Sequence, residues 1–224
     1  MLENFNINPS PSDMKERDEI LKNSYNDLIY FGRAFLPNDF LKKSESAPFH
    51  YEIAKQMITP IPGARICNII PRGHGKSVIS KAAIMHKLCF SKTDQQHFVA
   101  WVSEEQGQAI DHLKYLRSHF ENNKMIKYYF GTMDGGSVGK RWTEKDIVTA
   151  PGNEGWIWLS GTIVHYDSYL QMTYDGWRRA KKDKREYPWI VNFYKAIENE
   201  KPLWEAQFSE KKLASKKREF IEAG

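Results

Sequence analysis

The chain has 224 residues, 41% of them hydrophobic and 13% aromatic, enough to build one large domain, or one domain with appendages. No apolar run approaches the ~20 residues of a membrane span, the N-terminus has neither a charged n-region nor an apolar h-region, and no Cys/His spacing fits zinc. The 33 basic and 28 acidic residues leave a net charge of +5, mildly favourable for a polyanion partner.

Residues 1–12 are rich in Asn, Pro and Ser and are expected to be loose. From 14 to about 35 the apolar positions Ile20, Leu21, Tyr25, Leu28, Ile29 and Phe35 predict one helix, with Ser12 and Asp13 available as a cap. Residues 37–48 read as a connector, 49–57 as a short helix and 60–63 as a turn. Residues 66–70 then form an apolar, β-branched strand carrying Cys67. A glycine-rich turn follows, and a largely buried helix over 78–89 carries Cys89. Two buried, reduced thiols fit these positions better than a disulfide. Residues 97–102 predict a second strand. Ser103 and Gln106 form a capping box for a helix to about 121. Residues 126–130 are short and apolar, and 132–138 form a Gly-rich loop. Residues 142–150 end in a possible strand, and 156–159 predict a strong one. A helix from about 167 runs into the basic cluster Arg178, Arg179, Lys181, Lys182, Lys184 and Arg185. Residues 189–196 read as a strand, and Ser209 caps a last charged helix bearing Lys211, Lys212, Lys216, Lys217 and Arg218. Strands alternating with helices predict an α/β fold, with an open, mostly parallel sheet covered on both faces. Ligands of such sheets bind beyond the strand C-terminal ends. The turn at 71–77 and Ser160, Gly161 and Thr162 should therefore meet on one rim.

The turn reads Pro-Arg-Gly-His-Gly-Lys-Ser over 71–77. Strand, glycine-rich turn and helix together make a phosphate-binding loop. A polyphosphate needs free backbone N–H groups, a positive helix end and a mobile cation. Gly73 and Gly75 let the backbone approach, solvent-facing Lys76 can reach the β/γ-phosphates, and the Ser77 hydroxyl can ligate Mg²⁺. The usual first glycine would stand at 70, where this chain has Ile70. His74 reads as an exposed loop residue. The basic clusters read either as solvated helix faces or as nucleic-acid contacts.

Several pieces in order resemble the ATPase domain of the large terminase subunit, the DNA-packaging motor of tailed bacteriophages and related viruses. Phe49 and His50 stand where such motors place an adenine-side motif, although Phe49 also reads as a core aromatic. Residues 71–77 are close to the altered phosphate loop of terminases, with a basic residue early in place of glycine. Ser103, Phe130-Gly131 and Trp142-Thr143-Glu144 follow the family's order. Residues 158–162 with His165, Tyr166 and Asp167 are similar to its coupling segment, and Leu203, Trp204, Phe208, Ser209 and Leu213 to the stretch leading out of the ATPase domain. The resemblance implies a P-loop NTPase-like fold, with an N-terminal helical extension over 1–48, an ATPase domain over 49–208 and a helix or linker over 209–224. It implies ATP and Mg²⁺, with Lys76 and Arg72 acting on the β- and γ-phosphates. Pro71, Gly73, His74 and Gly75 line the loop, and Ser160, Gly161 and Thr162 sense hydrolysis, although Gly161 also reads as a strand-end turn. The implied partners are double-stranded DNA, a portal protein, a small terminase subunit and a homo-oligomeric ring, expected to be a pentamer, on the procapsid. The implied location is the host cytoplasm, with no membrane. DNA or a neighbouring subunit would meet Arg178, Arg179, Lys181 and Lys182.

One departure stands out. A working motor needs an apolar strand ending in Asp, then a glutamate to activate water. Four apolar residues followed by Asp-Asp or Asp-Glu occur nowhere in this sequence. The Walker B strand is expected near 151–155 and is missing there. Asp146 and Glu154 are the nearest carboxylates and read as surface residues. No nuclease carboxylate cluster is expected. Two other readings stay open: a nucleotide-binding but hydrolysis-deficient assembly module, and another P-loop enzyme, helicase-like or a nucleotide kinase.

Overall fold

The computed structural model describes residues 13–40, 45–59, 64–91, 106–131, 157–161 and 168–222. Two compact units emerge. One comprises Met1–Lys43, Ala54–Pro60 and Ser77–Gly155, the other Ser44–Ile53, Ile61–Lys76 and Trp156–Gly224. Helices α4 (Pro48–Ile58) and α5 (Lys76–Cys89) run through the points where the chain passes from one unit to the other.

The first unit is helical where it is described. α1 (Met14–Asn26) begins where the Asp13 carboxylate accepts the Lys15 N–H at 2.9 Å. The single helix expected over 14–35 is broken at Asp27. Asp27 is extended (φ −136°, ψ 110°), and its carboxylate accepts the N–H groups of Ile29 and Tyr30 at 2.7 and 3.1 Å. Aspartate serves better as such a cap than inside a helix, so it starts α2 (Leu28–Phe35) instead of prolonging α1. A short α3 (Pro37–Phe40) lies in the expected connector. After α6 (Gln106–Asn122) comes α7 (Lys124–Phe130), the segment that looked merely apolar. Asn123 caps it by accepting the Ile126 N–H at 3.1 Å. Phe31, Phe35, Phe120 and Ile126 are 1% exposed or less and make the core. His86 of α5 is buried against Phe31 and Phe90, its Nε2–H shared by the carbonyls of Ser24 (3.0 Å) and Tyr25 (3.1 Å). Burial pushes its pKa down to about 4, so it is a neutral structural histidine.

The second unit holds a three-stranded parallel sheet in the order β2–β1–β3, from β1 (Arg65–Ile69), β2 (Ile157–Gly161) and β3 (Ile190–Phe193). The central strand β1 is buried from Ile66 to Ile69, as a strand flanked on both sides requires. Ile66 stands opposite Trp158 and Ile190, and Ile69 opposite Gly161 and Phe193. The fully buried Asn68 accepts from Asn192 Nδ2 at 2.7 Å. Strand β3 stops at Phe193, short of the expected 196, although the Tyr194 N–H still donates to Ile69 O at 2.9 Å. A small hairpin of β4 (Ile197–Glu198) and β5 (Lys201–Pro202) follows, turning at Asn199 and Glu200, both with positive φ.

Helix α8 (Tyr169–Lys182) is capped by Ser168, which accepts the Gln171 N–H at 3.2 Å. It packs on β1 with Thr173 and Ala180 buried, and Tyr187 donates its hydroxyl to Thr173 O at 3.0 Å. Helix α9 (Glu210–Glu222) begins at Ser209 as expected. At this level the α/β expectation holds, as a small parallel sheet in an otherwise mostly helical chain. The expected strands at 97–102 and 142–150, the Ser103 cap, Asp146, the 151–155 segment, Glu154, Thr162 and residues 165–167 lie outside the described residues. Among the described residues, no helix is long and apolar enough to cross a membrane. Cys67 and Cys89 are both free thiols, Cys67 fully buried and Cys89 half-buried.

Candidate functional site

The turn after β1 lies at the C-terminal edge of the sheet. Register puts Ser160 beside Asn68 and Gly161 beside Ile69, the last residue of β1. The backbones of the loop-bearing strand and of Ser160 and Gly161 thus end side by side, while Thr162, the third residue expected on this rim, lies outside the described residues. Gly73 and Gly75 take φ of 79° and 73°, the left-handed region that side-chain-bearing residues avoid. Among the described residues, no backbone hydrogen bond uses the N–H of Gly73, His74 or Gly75. Those donors, ahead of the first turn of α5, suit an oxyanion.

Lys76 is not solvent-facing as expected. Its Nζ donates to the carbonyls of Ile70 and Pro71, both at 2.9 Å, so the ammonium is folded back across the loop and half-buried. Burial, then the charge of Arg72, lowers its pKa to about 8, which leaves it largely charged at neutral pH. Arg72 and Ser77 are exposed. The residues present therefore fit a phosphate chain and its Mg²⁺: N–H donors, a cation within the loop, a second exposed cation and an exposed hydroxyl. Among the described residues there is no cluster of three His, Cys, Asp or Glu side chains able to hold a metal ion alone.

His74 overturns its sequence reading. It is 3% exposed, not an exposed loop residue. Its ring stacks flat on Phe208, with centroids 4.6 Å apart and planes 13° apart. Nδ1 faces the Arg72 carbonyl at 3.0 Å and so carries the hydrogen, which leaves Nε2 a buried acceptor with no partner. Phe49 and His50 are both 3% exposed and also lie at the loop. The Ala47 N–H donates to His50 Nδ1 at 2.9 Å, so the hydrogen of His50 is on Nε2, which donates to His74 O at 3.2 Å. Burial pushes the His50 pKa down to about 4, so the ring stays neutral. His50 thus braces the loop backbone from within α4, whereas Phe49 packs on Tyr194 with centroids 5.4 Å apart.

Three further residues at this rim escaped the sequence reading as site residues. Trp204 meets His50 edge-on at 4.6 Å and donates its Nε1–H to Glu45 O at 2.6 Å. Phe208 covers His74, and its ring tip stands beside Gly73. Tyr194 donates its hydroxyl to the Glu52 carboxylate at 3.1 Å. The sequence singles out the first two only as part of the stretch that resembles the exit from a terminase ATPase domain, and their spacing of four residues is shared by countless core pairs.

On α8, residues 174, 177, 178 and 181 form one stripe. Arg178 lies 5.7 Å over the Tyr174 ring, and Lys181 lies 5.1 Å over Trp177. Tyr174 stacks on Phe193 at 4.6 Å. Arg178, Arg179, Lys181 and Lys182 lie along the last turns of this helix, where their charges also suit its negative C-terminal end. The other basic cluster has Lys211 and Lys212 exposed, with Lys212 lying 5.1 Å over the Phe208 ring. No known protein family, characterised protein or solved structure matches this chain.

Proposed function

We propose that this chain binds ATP with Mg²⁺ at residues 71–77, in a P-loop NTPase-like fold, and works as the ATPase motor domain of a viral large terminase subunit. One observation carries the nucleotide part. A parallel central strand runs into a turn with two left-handed glycines, an inward-folded lysine and a helix start. Lys76 would exchange two carbonyl partners for the β/γ-phosphates, a stronger, charge-assisted bond. Arg72 would approach the γ-phosphate, Ser77 would ligate Mg²⁺, and Ser160 and Gly161 would feel the γ-phosphate from the neighbouring strand end. Bound Mg²⁺ would supply charge neutralisation between the phosphates. The motor part rests on the ordered resemblance. It proposes double-stranded DNA, a portal, a small subunit and a ring of like chains on a procapsid in the host cytoplasm as the setting. The α8 cations Arg178 and Lys181, held over aromatic rings, support phosphate contact without base readout.

The test is ATP-dependent thermal stabilisation in the presence of Mg²⁺, with Lys76→Ala as control. Stabilisation in the parent that vanishes in the variant is the expected result, and equal shifts in both would sink the assignment. A second reading is a module that binds ATP but scarcely hydrolyses it. The sequence favours it, since no apolar strand ends in paired carboxylates. Steady-state phosphate release no faster than that of Lys76→Ala supports this reading, and release well above it restores the motor.

A further inference from the structure

We infer that Trp204 and Phe208 are positioning residues of the phosphate loop, holding its backbone in the anion-ready shape without touching the anion. The inference rests on the ATP reading for its ligand, but its geometry is independent of that reading. A turn containing two glycines in seven residues samples many conformations when left alone. Something must select the one in which the N–H groups stay unpaired. His50 fixes one point, the His74 carbonyl. The second point is Phe208. A Cβ placed on Gly73 would fall 2.9 Å from Phe208 Cζ, so the tip of the ring stands where a side chain at 73 would project, while its face stacks flat on His74. Phe208 is 8% exposed and Trp204 9%. The Phe208 N–H donates to Trp204 O at 2.8 Å, so the two rings move as one turn of chain. Trp204 is anchored by its bond to Glu45 O and abuts His50, the other brace. Residues 71–76 of the loop lie in the same unit as their cover, although more than a hundred residues of sequence separate them.

Ordering a loop before its ligand arrives raises affinity by removing the ordering cost from the binding step. Phe208→Ala should therefore weaken Mg·ATP binding by about tenfold. Phe208→Leu keeps apolar volume but cannot stack flat, and should fall in between. Phe208→Tyr keeps the ring and should bind as the parent does. Calorimetric Kd values are set beside circular-dichroism melts, because a merely structural role would lower the melting temperature without this order of affinities. Parent-like Kd values in both Phe208→Ala and Phe208→Leu, or failure of Phe208→Tyr to hold affinity, would overturn the inference. Should the parent itself not bind ATP, the nucleotide reading fails and the positioning claim is still decided by NMR backbone order parameters of the ligand-free protein. Lower order parameters at Gly73, His74 and Gly75 in Phe208→Leu support it, and unchanged order parameters refute it.

Discussion

Gly73→Ala isolates the strain and the contact at the centre of the loop. At φ 79° the backbone sits where an L side chain costs roughly 1–2 kcal/mol. The new methyl would stand 2.9 Å from Phe208 Cζ, closer than real carbon atoms approach, so the ring must leave its seat. Losing its stack on His74 adds about 0.5–1.5 kcal/mol. Together the change should destabilise the second unit by about 2–3 kcal/mol. Gly107→Ala is the matched control. Gly107 lies in the first turn of α6, exposed, with no atom of the described residues within 4 Å of where the new methyl would stand, and should lose no stability. Urea unfolding followed by circular dichroism reads both. With a denaturant slope of about 1–3 kcal/mol/M, the Gly73→Ala midpoint should fall by about 1 M. A Gly73→Ala midpoint at or above the parent would refute both the left-handed turn and the ring seated on it.

Acid should weaken the fold through His50 and His86. Each has a folded pKa near 4 against 6.5 when unfolded, so the unfolded chain binds more protons below pH 6.5. Their stabilisation is complete above pH 6.5 and drains away as pH falls towards 4, by about 2 kcal/mol per histidine at pH 5; a flat urea midpoint from pH 7.5 to pH 5 would contradict their neutral burial. Lys76, lowered to about 8, should make ATP affinity decline as pH rises through that value. Lys76→Arg, whose guanidinium does not titrate there, should bind with no such decline, and identical pH profiles would remove Lys76 from the phosphate contact. Reversing Arg178 and Lys181 to Glu should weaken retention of double-stranded DNA of any sequence and reduce the log–log salt slope by about two. Loss of oligomers with unchanged monomer retention on DNA would assign the stripe to a neighbouring subunit instead.

Local chemistry made the loop, its strand, α4, α8 and the Ser209 cap legible in the sequence, because each is announced within a few residues. Asp27 went unread because apolar spacing continues across it, and only its carboxylate's bonds to Ile29 and Tyr30 show the chain restarting. The hairpin at 197–202 turns on Asn199 and Glu200, and the second lacks the glycine that usually advertises such a turn. His74 looked exposed because loops between polar residues usually are. Its cover, Phe208, arrives from far along the chain, and no local pattern encodes that meeting. The inward fold of Lys76 is hidden for the same reason, since a motif specifies which cation is present but not which carbonyls it bonds.

The central position of β1 has a consequence for how this protein is made. Ile66 pairs with Ile190, a separation of 190 − 66 = 124 residues. At about 5–20 residues per second of synthesis, roughly 6–25 seconds pass between emergence of the two partners. Throughout that time an apolar strand with an open edge, carrying Cys67, waits on the ribosome. Nascent-chain aggregation and chaperone capture should therefore concentrate on residues 65–70, and slow codons between the loop and β3 should lower the yield of folded protein more than the same codons placed after it.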